Sequence, residues 1–284
     1  MDDPDSNLTS AAHAAPAAAG AFSPWRAFAR HWRESVRYFG WWRSLKDLAD
    51  ACWAALLELL PSPRKAAFGD LDYDWEHSVD TTRSNVGLGT QFLAGVMARP
   101  YFATEPWLFE QMMQAVALSI QQSALSIQSS ANTEGTRGSA GLKDFTFIDL
   151  GSGKGRVLLM ASDYPFNRII GVEFMPELHR AAQKNIASYS SGTQQCRQVE
   201  AVCMDARDFQ VPLGPLVAYL FNPFSESTFA QVLENLRQSI EQEPRLVYVA
   251  YRFTEFENLL ARESWLEKIV GAEQWAVYCN RRFF

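Results

Sequence analysis

Four residues of this 284-residue chain stand at the ends of apolar runs and are of types that grip a small polar ligand: Asp149, Glu173, Asp205 and Asn222. The first closes the run FTFIDL, and Gly151, Gly153 and Gly155 follow at once, before the helical pattern RVLLMAS. Glycines at that spacing let backbone approach a ligand closely and take up dihedrals that side chains resist, so the loop around Ser152 suits a small molecule. Its spacing excludes two phosphate loops. A dinucleotide loop needs a third small residue where Arg156 stands, and a P-loop needs a hydroxyl after its Lys, where Lys154 is followed by Gly155. A plain strand-to-helix turn is the structural alternative.

The elements that must position these residues follow in order. Glu173 ends the run RIIGVE, 18 positions after Gly155, where a carboxylate accepts ribose hydroxyls in nucleotide-binding βαβ units. Pro176 then suits the first turn of a helix whose buried stripe is Leu178, Ala182 and Ile186. QVEAVCM predicts a third strand before Asp205-Ala206-Arg207-Asp208, and LVAYLF a fourth that runs into Asn222-Pro223-Phe224. Taken singly, Glu173 and Asp205 also read as solvated strand-end acids, and Asn-Pro as a turn opener. Taken in order, they put polar groups at four successive strand ends, where open α/β sheets bind ligands.

The pattern Asp149-x-Gly151-x-Gly153-x-Gly155 resembles motif I of the class I S-adenosylmethionine (SAM) dependent methyltransferases. Asn222-Pro223-Phe224 resembles their motif IV, [DN]-P-P-[YFW], with one proline missing. The resemblance covers about residues 100–284 and implies an α/β fold: a Rossmann-like, seven-stranded, mostly parallel sheet with helices on both faces, finished by a β-hairpin with an antiparallel last strand. It implies SAM as cofactor, held by Asp149, Gly151, Ser152, Gly153, Gly155, Glu173, Phe174, Asp205, Ala206 and Asn222. Glu173 would take the ribose hydroxyls and Asp205 the adenine amino group, with the next backbone N–H facing the ring. Asn222, Pro223 and Phe224 would be catalytic, the Asn side chain and following carbonyl accepting hydrogen bonds from an amino group on which the aromatic ring stacks. The acceptor is then an amine nitrogen of a protein or small molecule. A small-molecule oxygen or carbon acceptor, and a non-catalytic SAM-binding scaffold, are the alternatives.

Upstream, Tyr101-Phe102-Ala103-Thr104-Glu105-Pro106 is similar to the Y-x-P-T-P segment of several protein-lysine methyltransferases and related families, which implies Tyr101 and Thr104 near the methionine end of the cofactor. Ala103 and Glu105 depart from that pattern, and Thr104 equally suits a helix N-cap. The helix that follows has Leu108, Phe109, Met112, Met113, Val116 and Ile120 at helical spacing. Beyond motif IV, Phe229, Val232, Leu236 and Ile240 predict a helix, 245–251 a strand, 254–266 a helix and 275–284 a strand.

Around this domain at 100–284 the chain divides into an Ala-rich disordered tail (1–20), a basic, Trp-rich helical extension (21–66), a cap or lid segment (67–99), and a flexible Ser/Gly/Ala-rich linker inside the domain (123–142). The extension carries eight Lys/Arg against four Asp/Glu and five of the nine tryptophans, Trp25, Trp32, Trp41, Trp42 and Trp53. Its two helices suit packing on the catalytic domain or a partner, substrate capture, or peripheral membrane contact with Arg26, Arg30, Arg33 and Arg37 toward headgroups. In the cap segment, His77 reads as a general base or, more ordinarily, a structural histidine. Residues 67–284 hold 18 bases and 25 acids, a poor match for nucleic acid and a better one for a cationic or neutral acceptor. The four cysteines show no metal-ligand spacing and no disulfide framework, and no metal site is expected. No apolar run approaches the roughly 18 residues of a membrane span, and the start MDDPDSN lacks a basic leader, so cytoplasm is the expected compartment.

Overall fold

The computed structural model describes residues 24–58, 71–82, 102–130, 141–253 and 255–280. The apolar runs become strands. These are β1 (Thr146–Leu150), β2 (Arg168–Glu173), β3 (Val199–Cys203), β4 (Leu216–Phe221), β5 (Val247–Arg252), β6 (Glu267–Ala272) and β7 (Trp275–Cys279). They form one sheet in the order β3-β2-β1-β4-β5-β7-β6, parallel except for β7, which runs antiparallel to β5 and β6. β1 and β5 are buried throughout and β4 at all but its last residue, Phe221, as continuous apolar runs covered on both faces should be. β1 lies between β2 and β4, with Thr146 in register with both Arg168 and Leu216. The chain therefore reverses its direction of travel across the sheet at β1, and a crevice opens at the carboxyl ends of β1, β2 and β4.

Helices cover both faces. On one, α4 (Pro106–Ser130) lays Leu108, Phe109, Met112 and Met113 against Phe147, Tyr219, Tyr248 and Val277, beside α5 (Arg156–Ser162). On the other, α7 (Glu226–Gln242) presents Phe229, Val232, Leu233 and Leu236 to Ile148, Ala218, Val249 and Tyr251. Each such side chain taken fully from water contributes about 1.5–3 kcal/mol. α6 (Pro176–Ser188), with its proline in the first turn, packs on the edge strand β3.

Three expectations change. α4 runs on to Ser130, so 123–130 of the expected linker is helix; SALSIQSS lacks both Gly and Pro and nothing stops the preceding helix there. Residues 131–140 lie outside the described residues. The helix expected over 254–266 is only α8 (Glu257–Arg262), and the next residues turn into β6. Within 67–99, the stretch Leu71–His77 is a helix, α3, and 83–99 is outside the described residues.

The Trp-rich extension forms α1 (Pro24–Phe39) and α2 (Trp41–Glu58), which meet at Gly40 (φ +80°) and are joined by a buried Ser35–Ser44 hydroxyl bond of 2.8 Å. α1 docks on α7 and on the 3-10 turn Ala206–Asp208. Its charged side makes contact: Arg30 turns inward to Asp208 and Glu34 to Arg207, whereas Trp25 of α1 and Trp41, Trp42 and Trp53 of α2 are 62–87% exposed, and Trp32 is half-buried against Trp41. Among the described residues no helix is long and apolar enough to cross a membrane.

Candidate functional site

The loop after β1 is shaped by its glycines. Gly151 has φ +92°, and a Cβ there would stand 2.3 Å from the Cβ of Pro223, so both backbone and space exclude a side chain. Gly155, at φ +85°, caps α5. The N–H groups of Gly151 and Ser152 donate to the Val172 carbonyl at 2.8 and 3.0 Å, strapping the loop to β2.

Glu173, at the end of β2, faces this loop. Its two oxygens accept from the Gly153 and Met175 N–H groups, each at 2.8 Å. Burial pushes its carboxyl up to about 7, against the pull of these donors. Burial also holds the Asp149 carboxyl well above the usual carboxylate range, helped by the charge of Glu173. At the end of β3, Asp205 accepts from the Arg207 N–H at 2.9 Å and from both sides of the Arg207 guanidinium. Burial alone would raise the Asp205 carboxyl; hydrogen bonds from Arg207 hold it below its ordinary value.

Asn222 follows β4 with φ +40°, a region an Asn tolerates better than most residues. Its carboxamide is held at both ends: Nδ2 donates to Glu255 at 2.7 Å and Oδ1 accepts from the Tyr251 hydroxyl at 3.1 Å. The Tyr251 oxygen also accepts from the Phe256 N–H at 3.2 Å, so the turn after β5 is tied to the end of β4.

These strand ends enclose one cavity of about 310 Å³. Of the residues expected at a site, Gly151, Gly153, Glu173, Phe174, Asp205, Ala206, Asn222, Pro223 and Phe224 line it together. Asp149, Ser152 and Gly155 do not line it, and the Ser152 hydroxyl is buried with no hydrogen-bond partner among the described residues. Thr104 does not line the cavity. Its hydroxyl is bonded to the Tyr219 hydroxyl at 2.8 Å in the core, while Phe102, Ala103 and Glu105 around it reach the cavity. Tyr101 lies outside the described residues.

Sequence reasoning missed further lining residues, among them His31, Arg252, Phe253 and Glu255. The last three sit at the end of the fifth strand and are found by the same strand-end rule that picks out the first four. Arg252 pairs with Glu105 at 2.8 Å and lies over the Phe221 ring, and Phe253 takes φ +64°. His31 comes from α1 and has no local signal.

Outside the glycine loop, α3 and the residues after it form a clamp. The buried Arg156 guanidinium donates to Asp74 at 3.0 Å and to the Thr81 and Thr82 hydroxyls, and lies over the Tyr73 ring. Lys154 pairs with Asp80 at 2.8 Å, and Asn185 bridges Asp80 and the Lys154 carbonyl. None of 71–82 lines the cavity, and His77 sits between the Tyr73 and Tyr189 rings, tilted to both.

No family model and no curated protein matches the chain. Solved structures to which it is similar include an RNA methyltransferase from Salinibacter ruber in complex with S-adenosyl-L-homocysteine, at 22% identity over 48% of this chain and 80% of that one, with a TM-score of 0.34. A ribosomal protein L11 methylase from Lactobacillus delbrueckii subsp. bulgaricus gives 17% identity over 47% and 67%, TM-score 0.34. The glycopeptide N-methyltransferase MtfA complexed with (S)-adenosyl-L-methionine gives 13% over 56% and 64%, TM-score 0.31. By its own sheet order, its antiparallel β7 and the cavity at its switch point, the chain is a Rossmann-like α/β protein.

Proposed function

We propose that this protein is a SAM-dependent methyltransferase acting on an amine nitrogen of a protein or small molecule. The reading rests on one observation: a single cavity at the switch point gathers Gly151, Gly153, Glu173, Asp205 and the Asn222-Pro223-Phe224 turn. The residues present fit the cofactor. A buried carboxylate for a ribose diol, a glycine loop for close backbone approach, and apolar walls at Val172, Met175, Leu178 and Met204 are what a nucleoside thioether requires. The methyltransferase unit proposed here spans about 100–284, with α1 and α2 as an N-terminal extension.

Bound SAM supplies an already activated methyl group; the chain's share is binding, orientation and exclusion of water. Glu173 accepts the ribose hydroxyls with lone pairs left beyond its backbone donors. Asn222, fixed by Tyr251 and Glu255, holds the amine through its side-chain oxygen and following carbonyl, and Phe224 covers it with an apolar face. The acidic balance of the domain favours a cationic or neutral acceptor over nucleic acid.

The test is transfer from labelled SAM into a cell lysate separated into macromolecular and small-molecule fractions. Asn222→Gly tolerates the positive φ but removes the carboxamide. Its SAM affinity should stay within about 1 kcal/mol of the parent while transfer falls roughly 10²-fold, the scale of a lost orienting group. Transfer at the parental rate would rule out the amine model.

A further inference from the structure

α1 reaches the cavity through one short charged and polar face. Arg30, His31 and Glu34 recur at the spacing of one helix side; Arg30 and Glu34 bond the turn Asp205-Ala206-Arg207-Asp208, and His31 lines the cavity with it. Arg30 grips both oxygens of Asp208 at 2.7 and 2.6 Å and also donates to Glu34 at 3.1 Å. Glu34 accepts from Arg207, whose nearly buried guanidinium forks Asp205 at the same time. His31 is held over the cavity beside the Asp205, Ala206 and Arg207 wall. In the sheet order this wall is one strand farther out than Glu173, at the end of β3.

With the side it turns to this wall α1 docks through charges, and it leaves Trp25 in water. The side it does present completes a wall of the site. Burial and the neighbouring Arg207 charge keep the His31 imidazole below its ordinary value, so it is a neutral flat ring at pH 7, suited to a purine.

We infer that α1 is part of the cofactor site: His31 meets the adenine end of SAM, and the Glu34–Arg207–Asp205 chain couples docking of α1 to occupancy of the cavity. The inference rests on the methyltransferase reading and extends it to a segment outside the unit that carries the motifs. By linkage, a ligand touching His31 must stabilise docked α1, and docked α1 must tighten the ligand by the same factor.

Two measurements on the full-length protein with S-adenosylhomocysteine test it. By titration calorimetry, His31→Ala should weaken binding about tenfold, the scale of one lost ring contact or hydrogen bond, and Glu34→Gln about fivefold. In the unaltered protein, saturating S-adenosylhomocysteine should slow amide hydrogen exchange across 24–39, a readout that needs no variant to fold. A parent that binds, with both variants within twofold and exchange over 24–39 unchanged, overturns the inference and leaves the methyltransferase reading standing. A parent that does not bind overturns that reading itself.

Discussion

A buried carboxylate that accepts backbone N–H groups is pulled both ways, and at Glu173 burial wins: its carboxyl is pushed up to about 7 in the fold against 4.5 ordinarily. Between those values the folded protein holds a proton that the unfolded chain has released. Stability contributed by this group is thus full below about pH 4.5 and lost as pH rises through about 7. Glu173→Gln removes that slope. Its amide also confronts a backbone donor, a cost present at every pH, so the trend is the readout. Melting temperature of the variant relative to the parent should rise from about pH 4.5 to about pH 7 and level off above it, and a constant difference would exclude the titration. At this scale the sequence is half legible. Gly151 announces itself by spacing, and its reason, the 2.3 Å approach to Pro223, joins two motifs picked out separately. The setting of Asn222 was hidden, because its partners Tyr251 and Glu255 lie 29 and 33 positions away.

Among the elements, the clamp behind the glycine loop should matter most for stability. Asp74→Ala leaves the Arg156 guanidinium buried and deprived of its carboxylate, which should destabilise by about 3 kcal/mol in urea unfolding. Breaking the exposed Arg168–Glu200 pair with Arg168→Ala should cost under about 1 kcal/mol in the same assay. Comparable losses in the two variants would mean the clamp is no more than a surface contact. Buried strands were legible because parallel strands covered on both faces read as unbroken apolar runs. β6 was not, since nearly every residue in it faces water and its pattern carries no period. The docking side of α1 was not legible either. The surface α1 meets is charged, and Arg30 and Glu34 reach the Asp205-Ala206-Arg207-Asp208 turn from more than 170 positions away.

In the molecule as a whole, the cavity lining begins at His31 and ends at Glu255, so no single stretch of chain forms it. A ligand there binds only the folded state. At about 100 times its dissociation constant, S-adenosylhomocysteine should stabilise by about 2.7 kcal/mol and raise the thermal midpoint by several degrees. The shift should grow with ligand concentration, and a midpoint indifferent to ligand would mean that the cavity does not bind it. The sheet that carries the cavity ends on one side at β6, whose pairing with β7 slips between Lys268 and Val270 and whose side chains include Glu267 and Lys268. A strand offered by another molecule would meet a broken hydrogen-bond rhythm and a pair of charges. That border is guarded against edge-to-edge aggregation, the standing hazard of any sheet that does not close on itself.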